Sequence, residues 1–213
     1  MKSLITRLLL ATVMVCGSAG AQPVTKFIVP FASGGSTDFY VRLLASEVSE
    51  AGVPVIVENK VSGSATVAGG YVTKARPDVL TLFVGGNSSM VNNTVLFDKL
   101  PNDPLKDFAP VSRIGNQPLL IVGRTDLPYS NLKELVAYAK AKPRKINRGS
   151  QGAGSFGNLL QVLFERVAGT QMTHVPFNGD PPAIRALLIG SINMHGTTIT
   201  GPLPHVQSAS SAC

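Results

Sequence analysis

An apolar segment that runs directly into a glycine pair is the feature that most constrains how this chain folds. Ile28-Val29-Pro30-Phe31 is typical of a strand, and Gly34-Gly35 follow it at once. A helix is predicted over residues 37–50 from apolar side chains at helical spacing. The junction is either a plain βα turn or a place where unpaired backbone N–H groups converge on an anion.

The start of this predicted helix has its own local signals. Ser36 or Thr37 is expected to cap it with a side-chain oxygen, and Asp38 suits its positive end. A carboxylate would repel an anionic ligand, so capping is the favoured role for Asp38.

The first 21 residues have the order of charge, apolar run and small residues that marks a secretory signal peptide. Lys2 and Arg7 precede an apolar run at 8–15, and Ala19-Gly20-Ala21 predicts cleavage before Gln22. The apolar run is too short to span a bilayer. We therefore expect an exported protein with a cleaved signal peptide.

Charge and cysteine content exclude an internal disulfide and disfavour a nucleic-acid-binding protein. Loss of Lys2 and Arg7 with the leader would lower the formal charge from +7 to +5, and Cys16 would leave with it. A single remaining thiol, Cys213, cannot close an internal disulfide. Basic residues cluster only at 140–148, without a nucleic-acid motif, so no nucleic-acid partner is expected.

Strands and helices alternate along the rest of the chain, as in a layered α/β fold. A proline-rich stretch at 101–110 is the predicted crossing between two lobes. Beyond it, a strand beginning at Ile146 ends in a second glycine-rich loop, 149–155, before a predicted helix at 156–168. Two such junctions facing one cleft would clamp a dicarboxylate at both ends.

Ordered motifs across residues 24–208 give this chain a specific resemblance. They include the opening Ile28–Asp38 segment, Val57-Glu58-Asn59-Lys60, Leu100-Pro101-x-Asp103-Pro104, His174-Val175-Pro176-Phe177-x-Gly179 and Leu203-Pro204-His205-Val206. In this set and order the chain resembles the Bug family, the substrate-binding proteins of tripartite tricarboxylate transporters.

The resemblance implies an α/β, two-lobed fold of the periplasmic-binding-protein type (Venus flytrap, type II) that captures a small carboxylate. It implies no enzyme activity, cofactor or metal, and it implies a monomer whose partners are the membrane subunits of such a transporter. The ligand-binding residues it implies lie in three loops and one strand: Phe31, Ala32, Ser33, Gly34, Gly35, Ser36, Thr37 and Asp38; Ser88 and Ser89; Ser150, Gln151, Gly152, Ala153, Gly154 and Ser155; and Thr197. Loop polarity alone would also explain Ser88 and Ser89.

Several positions depart from the family pattern. Residues 61–65 replace a glycine-rich loop, so backbone there that needs positive φ would be strained. Phe156 stands where the family has a small hydroxyl residue near the ligand, and Gly157 weakens the first turn of its helix. Thr197 and Asn193 replace family aspartates, which disfavours an amino-acid ligand.

The resemblance also fixes expected boundaries: signal peptide 1–21, lobe one 22–112, lobe two 113–208 and a non-family tail 209–213. Family members continue beyond this point to complete lobe one. We therefore expect a truncated copy, lacking the C-terminal part of lobe one, whose binding is impaired.

Two other classes of protein remain open at this stage. Gly152-x-Gly154-x-x-Gly157, followed by Asp180, has the spacing of a dinucleotide-binding fingerprint. Residues 153–157 come close to the nucleophile elbow of a serine hydrolase, with Ser155 as nucleophile and His174, His195 and His205 downstream.

Overall fold

The computed structural model describes residues 22–62 and 65–210. The predicted signal peptide, the end of the predicted tail and part of the altered 61–65 loop lie outside these residues. Seven strands are described, in chain order β1 to β7: Thr25–Val29, Val55–Asn59, Thr81–Phe83, Leu119–Gly123, Asn147–Ser150, Thr173–Pro176 and Met194–Thr198. The α-helices, α1 to α7, are Ser36–Glu50, Thr66–Val72, Asn93–Leu96, Leu132–Ala141, Phe156–Ala168, Asp180–Leu188 and Leu203–Ser210, and a π-helical turn covers Ser88–Asn92.

The strands form two separate sheets. The first has the order β2-β1-β3 with all strands parallel. Helix α1 packs on it and closes a core of Phe27, Val29, Val41, Ala45 and Val84. We call this sheet and its helices lobe one.

The second sheet has the order β4-β7-β5-β6. Strand β5 is parallel to both β6 and β7, whereas β4 runs antiparallel to β7. Its cores lie under α4, centred on Leu135 and Ile146, and under α6, centred on Leu187 and Ile192. We call this sheet and its helices lobe two.

The segment between α3 and β4 links the lobes. It begins by packing on lobe one, where Phe108 stacks on Phe83 with ring centroids 5.2 Å apart. Pro101 and Asn102 lie against Gly70 and Gly69, where a Cβ atom would clash with them. From 108 to 118 the chain has neither helix nor strand. The expected lobe boundary at 112/113 falls inside this extended segment.

The structure corrects several local predictions. Gly35, not Ser36 or Thr37, occupies the N-cap of α1, and no side chain caps this described helix. The sequence pattern of residues 182–188 also predicts a helix, and in the structure this helix, α6, begins earlier, at Asp180, because Pro181 and Pro182 fit a first turn that needs no N–H donor. Helix α7 runs to Ser210, so the tail expected from residue 209 is helical where it is described.

Candidate functional site

A cavity of about 730 Å³ lies between the two lobes. Lobe one contributes the loop after β1 and the turn after β3, and lobe two contributes the loop after β5 and the start of α6. In parallel α/β sheets this is the usual position of a ligand, outside the carboxyl ends of the strands. The two glycine-helix junctions therefore meet at one cleft.

The first wall is the start of α1. Gly34 has φ +79°, in the region that favours glycine, and Gly35 is extended before the helix begins. Gly35, Ser36 and Thr37 all line the cavity. Because no side chain of the described residues caps α1, its first N–H groups remain available to an anion.

Asp38 holds this wall in place from behind. Its carboxylate accepts hydrogen bonds from the Gly34 N–H at 2.9 Å, the Asn59 amide at 2.8 Å and the Arg42 guanidinium at 2.8 Å. Asn59 also donates to the Phe31 carbonyl at 2.9 Å. Burial by itself would raise the pKa of Asp38, but hydrogen bonds from Arg42, Gly34 and Asn59 outweigh it and hold that pKa below 3.8.

A second part of lobe one reaches the cavity through the π-helical turn. Gly85, Gly86, Asn87 and Ser88 line it. Ser89 turns away, since its hydroxyl donates to the Gly86 carbonyl at 3.2 Å and accepts from the Gly86 N–H at 3.1 Å. Ser88 is therefore placed on the cavity, and Ser89 shapes the turn.

The second wall, at the end of β5, is fixed by polar side chains. Ser150 is fully buried, and its hydroxyl lies 2.7 Å from His174 Nε2. Burial, with the nearby Arg148 charge, lowers the pKa of His174 and keeps its ring neutral at neutral pH. Ser155 caps α5 by accepting from the Asn158 N–H at 3.2 Å. The two junctions thus differ, because α5 has a side-chain cap and α1 has none.

Behind the second wall lies a buried ion pair. Arg148 pairs with Glu165 and donates to Asn158 Oδ1 at 2.7 Å, and Asn158 in turn donates to the Ala153 carbonyl. Glu165 also accepts from the Met172 N–H at 2.8 Å. These contacts tie the loop to the sheet and fix the position of the second wall.

Phe156 and Gly157 complete this wall. Phe156 is 43% exposed and lines the cavity beside Gly157. A Cβ atom at Gly157 would clash with the Gly196 carbonyl and with Gln151 Oε1. Gly157 therefore lets α5 approach β7 closely, which explains why a residue that weakens the helix is placed there.

Asp180 is the one carboxylate on the cavity surface among the described residues. It stands at the start of α6 and is only 9% exposed. Its Oδ1 accepts from Thr197 Oγ1 at 2.6 Å and from Gln151 Nε2 at 2.7 Å, and lies 3.0 Å from His195 Nε2. Thr197 and His195 are fully buried.

The walls touch each other at the edge of the cleft. The hydroxyls of Ser36 and Thr198 are in hydrogen-bond contact, one from each lobe. Asn92 Nδ2 donates to the Gly154 carbonyl at 3.3 Å. Each of these contacts joins a polar group of lobe one to a polar group of lobe two.

The structure brings together part of the predicted site. Seven of the predicted residues line the cavity: Phe31, Gly35, Ser36, Thr37, Ser88, Gln151 and Ser155. The others lie behind the walls or beside them: Ala32, Ser33, Gly34, Asp38, Ser89, Ser150, Gly152, Ala153, Gly154 and Thr197.

Sequence reasoning missed several contributions to the cavity, of which three bear on its polar chemistry or on the connection between the lobes. These are Asp180, Thr198 and the extended segment between the lobes, of which residues 112–117 line the cavity. Arg113 is exposed in that segment and is the second charged residue on the cavity surface. The place of Asp180 after Gly179, between a strand and the start of a helix, was the signal that could have found it.

The geometry does not support the two other classes of protein. The Ser155 hydroxyl donates to the Gly152 carbonyl at 2.7 Å, while His174 contacts Ser150 and His195 contacts Asp180. A nucleophile needs a base within hydrogen-bond reach, and Ser155 has none among the described histidines. Gly157 packs against Gly196, and Asp180 is held by β7 rather than set out to receive a ribose.

Two α/β lobes, a cleft between them and glycine-rich walls define a two-lobed ligand-binding protein. The family model for the tripartite tricarboxylate transporter family receptor matches residues 40–211. The chain belongs to this family of receptors, which are solute-binding proteins and not enzymes.

Individual relatives agree with this assignment. A UPF0065 protein of Bordetella pertussis is 33% identical over 196 residues, which cover 89% of this chain and 60% of that protein. Among solved structures, R. palustris Rpa4515 with adipate is 31% identical with a TM-score of 0.84, over 87% of this chain and 62% of that one. MatC (Rpa3494) from Rhodopseudomonas palustris with bound malate is 32% identical with a TM-score of 0.81, over 87% of this chain and 63% of that one.

The two-lobed periplasmic-binding-protein fold predicted from the sequence is confirmed by these structures. The chain spans about three fifths of the length of the curated relatives it matches.

Proposed function

We propose that this protein is a periplasmic solute-binding protein that captures a small carboxylate between its lobes and delivers it to the membrane subunits of a tripartite transporter. The observation that carries the proposal is the uncapped start of α1 on the cavity wall. Backbone N–H groups at a helix start bind a carboxylate without a cationic side chain.

The relatives agree with this chemistry. Two solved structures at 31% and 32% identity contain adipate and malate, both dicarboxylates. The formal charge, +7 for the whole chain and +5 without Lys2 and Arg7, favours the approach of anions. Among the described residues, no helix has the length and apolar composition to cross a bilayer.

A single-residue change can remove one N–H donor while it preserves the helix. Ser36 is the first residue of α1, a position where proline is well tolerated, and Gly35 before it is extended, as a residue preceding proline prefers. Ser36→Pro removes the donor, and the matched control Ser36→Ala removes only the hydroxyl that contacts Thr198.

The test is calorimetric titration of the purified chain and both variants with succinate, malate, adipate and citrate. We expect wild-type binding to at least one of these acids, a loss of about tenfold or more in Ser36→Pro, and a smaller loss in Ser36→Ala. Absence of binding to every acid, or equal binding by Ser36→Pro and Ser36→Ala, would contradict the proposal. Size-exclusion chromatography tests the predicted oligomeric state, and we expect a single species of monomer mass.

A further inference from the structure

The cavity offers chemically different surfaces on its two sides. Lobe one presents the uncapped start of α1, which attracts an anion. Lobe two presents the carboxylate of Asp180, which attracts a hydrogen-bond donor. A plain dicarboxylate would meet a favourable surface at one end and a repulsive one at the other.

The second oxygen of Asp180 has no partner from the described residues. All three side chains that contact this carboxylate meet Oδ1, and the two from β7, His195 and Thr197, are fully buried. Asp180 itself is only 9% exposed, and it lines the cavity. Oδ2 is therefore an acceptor left open toward the cleft.

The helix that begins at Asp180 does not satisfy this oxygen either. Gly179 occupies the N-cap of α6, and no side-chain cap bond is formed there. Pro181 and Pro182 follow, and neither has a backbone N–H to donate. A carboxylate at a helix start usually binds such N–H groups, so capping does not account for Asp180.

From this arrangement we infer that Asp180 is a specificity-determining residue for a carboxylate ligand that also carries an N–H or O–H donor, such as an ammonium or hydroxyl group. The ligand carboxylate lies at the start of α1, and its donor reaches Asp180 Oδ2. This inference rests on the proposed function and names its ligand class.

Succinate, malate and aspartate form a matched series that isolates the donor. They share a four-carbon dicarboxylate skeleton and differ at one carbon, which carries hydrogen, hydroxyl or ammonium. Titration of the wild-type chain at neutral pH should give malate or aspartate a Kd at least about tenfold below that of succinate, since hydrogen bonds to a charged acceptor are strong. Comparison of malate with aspartate identifies whether the ligand donates from a hydroxyl or from an ammonium group.

Asp180→Asn supplies the second measurement. Its Oδ1 can still accept from Thr197, Gln151 and His195, while an NH₂ group replaces Oδ2. We expect this variant to lose the tenfold preference and to bind succinate at least as tightly as the wild type. Asp126→Asn, at an exposed carboxylate paired with Arg124 outside the cavity, should keep the preference.

The outcomes separate this inference from the proposed function. Equal wild-type affinity for all three acids, or a preference that survives in Asp180→Asn, overturns the role of Asp180 and leaves carboxylate binding standing. Failure of the wild type to bind any acid overturns both. If Asp180→Asn does not fold, the wild-type series alone decides.

Discussion

Val79 adopts a backbone conformation that valine rarely tolerates. Its φ is +58°, and its side chain is 81% exposed, so packing does not compensate for the strain. A left-handed conformation costs an L-residue about 1–2 kcal/mol, and glycine escapes this cost. Ala65, in the altered 61–65 loop, shows the same strain with φ +59°, as the sequence predicted for that loop.

Val79→Gly should therefore raise the free energy of unfolding by up to about 1 kcal/mol, after the greater entropy of glycine in the unfolded chain is subtracted. Urea denaturation measures the change. Val79→Ala is the control, since it keeps a Cβ atom at the same φ and should change stability less. A destabilised Val79→Gly would show that the strain is not relieved there.

Asp38 makes the stability of lobe one depend on pH. Its folded pKa lies below 3.8, so the folded state favours the charged form. The resulting stability is present above that ordinary value and is lost as the pH falls through the folded pKa. In Asp38→Asn the free energy of unfolding should no longer show this loss at low pH. Its value at pH 7 should be about 2 kcal/mol lower than that of the wild type.

Urea denaturation of both proteins at intervals from pH 7 to pH 2.5 tests this prediction. The wild-type curve should fall more steeply below pH 3.8 than that of Asp38→Asn. Parallel curves would show that the Asp38 hydrogen bonds do not stabilise the charged form.

At the scale of elements, helix propensity and packing have opposite effects at Gly157. Helix propensity favours alanine over glycine by about 1 kcal/mol. Packing opposes it, because a Cβ atom would clash with the Gly196 backbone of β7. Overpacking in a rigid interior costs about 1–3 kcal/mol, and here the obstacle is backbone that cannot rotate away.

Gly157→Ala should thus lower the free energy of unfolding by about 2 kcal/mol, although it improves the helix. Gly123→Ala is the matched control, since its Cβ would meet only the Asn193 carbonyl at 3.7 Å, an ordinary contact. Thermal and urea denaturation of both variants give the comparison. A stabilised Gly157→Ala would mean that α5 can move away from β7.

Elements with local signals were the ones predictable from the sequence. Helix α5 has the predicted bounds, since it combines an apolar stripe with recognisable ends. The antiparallel direction of β4 had no such signal, because it depends on pairing with β7, which is remote in sequence.

The candidate site likewise has parts that local sequence predicts and parts that depend on residues remote in sequence. The cavity position of Gly35 and Ser36 follows from a strand, a glycine pair and a helix that are adjacent in sequence. The exposure of Asp180 Oδ2 depends on β7 arriving beside α6 and engaging Oδ1, which no local pattern encodes. Residues 112–117 lack periodicity, so nothing in their sequence indicates a place on the cavity.

At the scale of the whole molecule, the lobes have separate cores. Among the described residues, no hydrophobic cluster includes side chains from both sheets. The contacts between lobes that the structure describes include polar ones, Ser36 with Thr198 and Asn92 with Gly154. A ligand in the cleft would therefore add the connections that hold the lobes together.

Hydrogen exchange should detect this coupling. Saturation with the tightest-binding acid of the four-carbon series should slow exchange at residues 35–37 of lobe one and at 155–157 of lobe two. Helix α4, which is remote from the cavity, should keep its rate and serves as an internal control. Protection of one wall alone would show that the ligand does not bridge the lobes.

The extended segment at 112–117 both joins the lobes and forms part of the cavity surface. A ligand that touches it would contact a segment that connects the two sheets. A short acid and a long acid would then hold the lobes at different angles. The overall dimensions of the complex would therefore differ with the length of the bound acid.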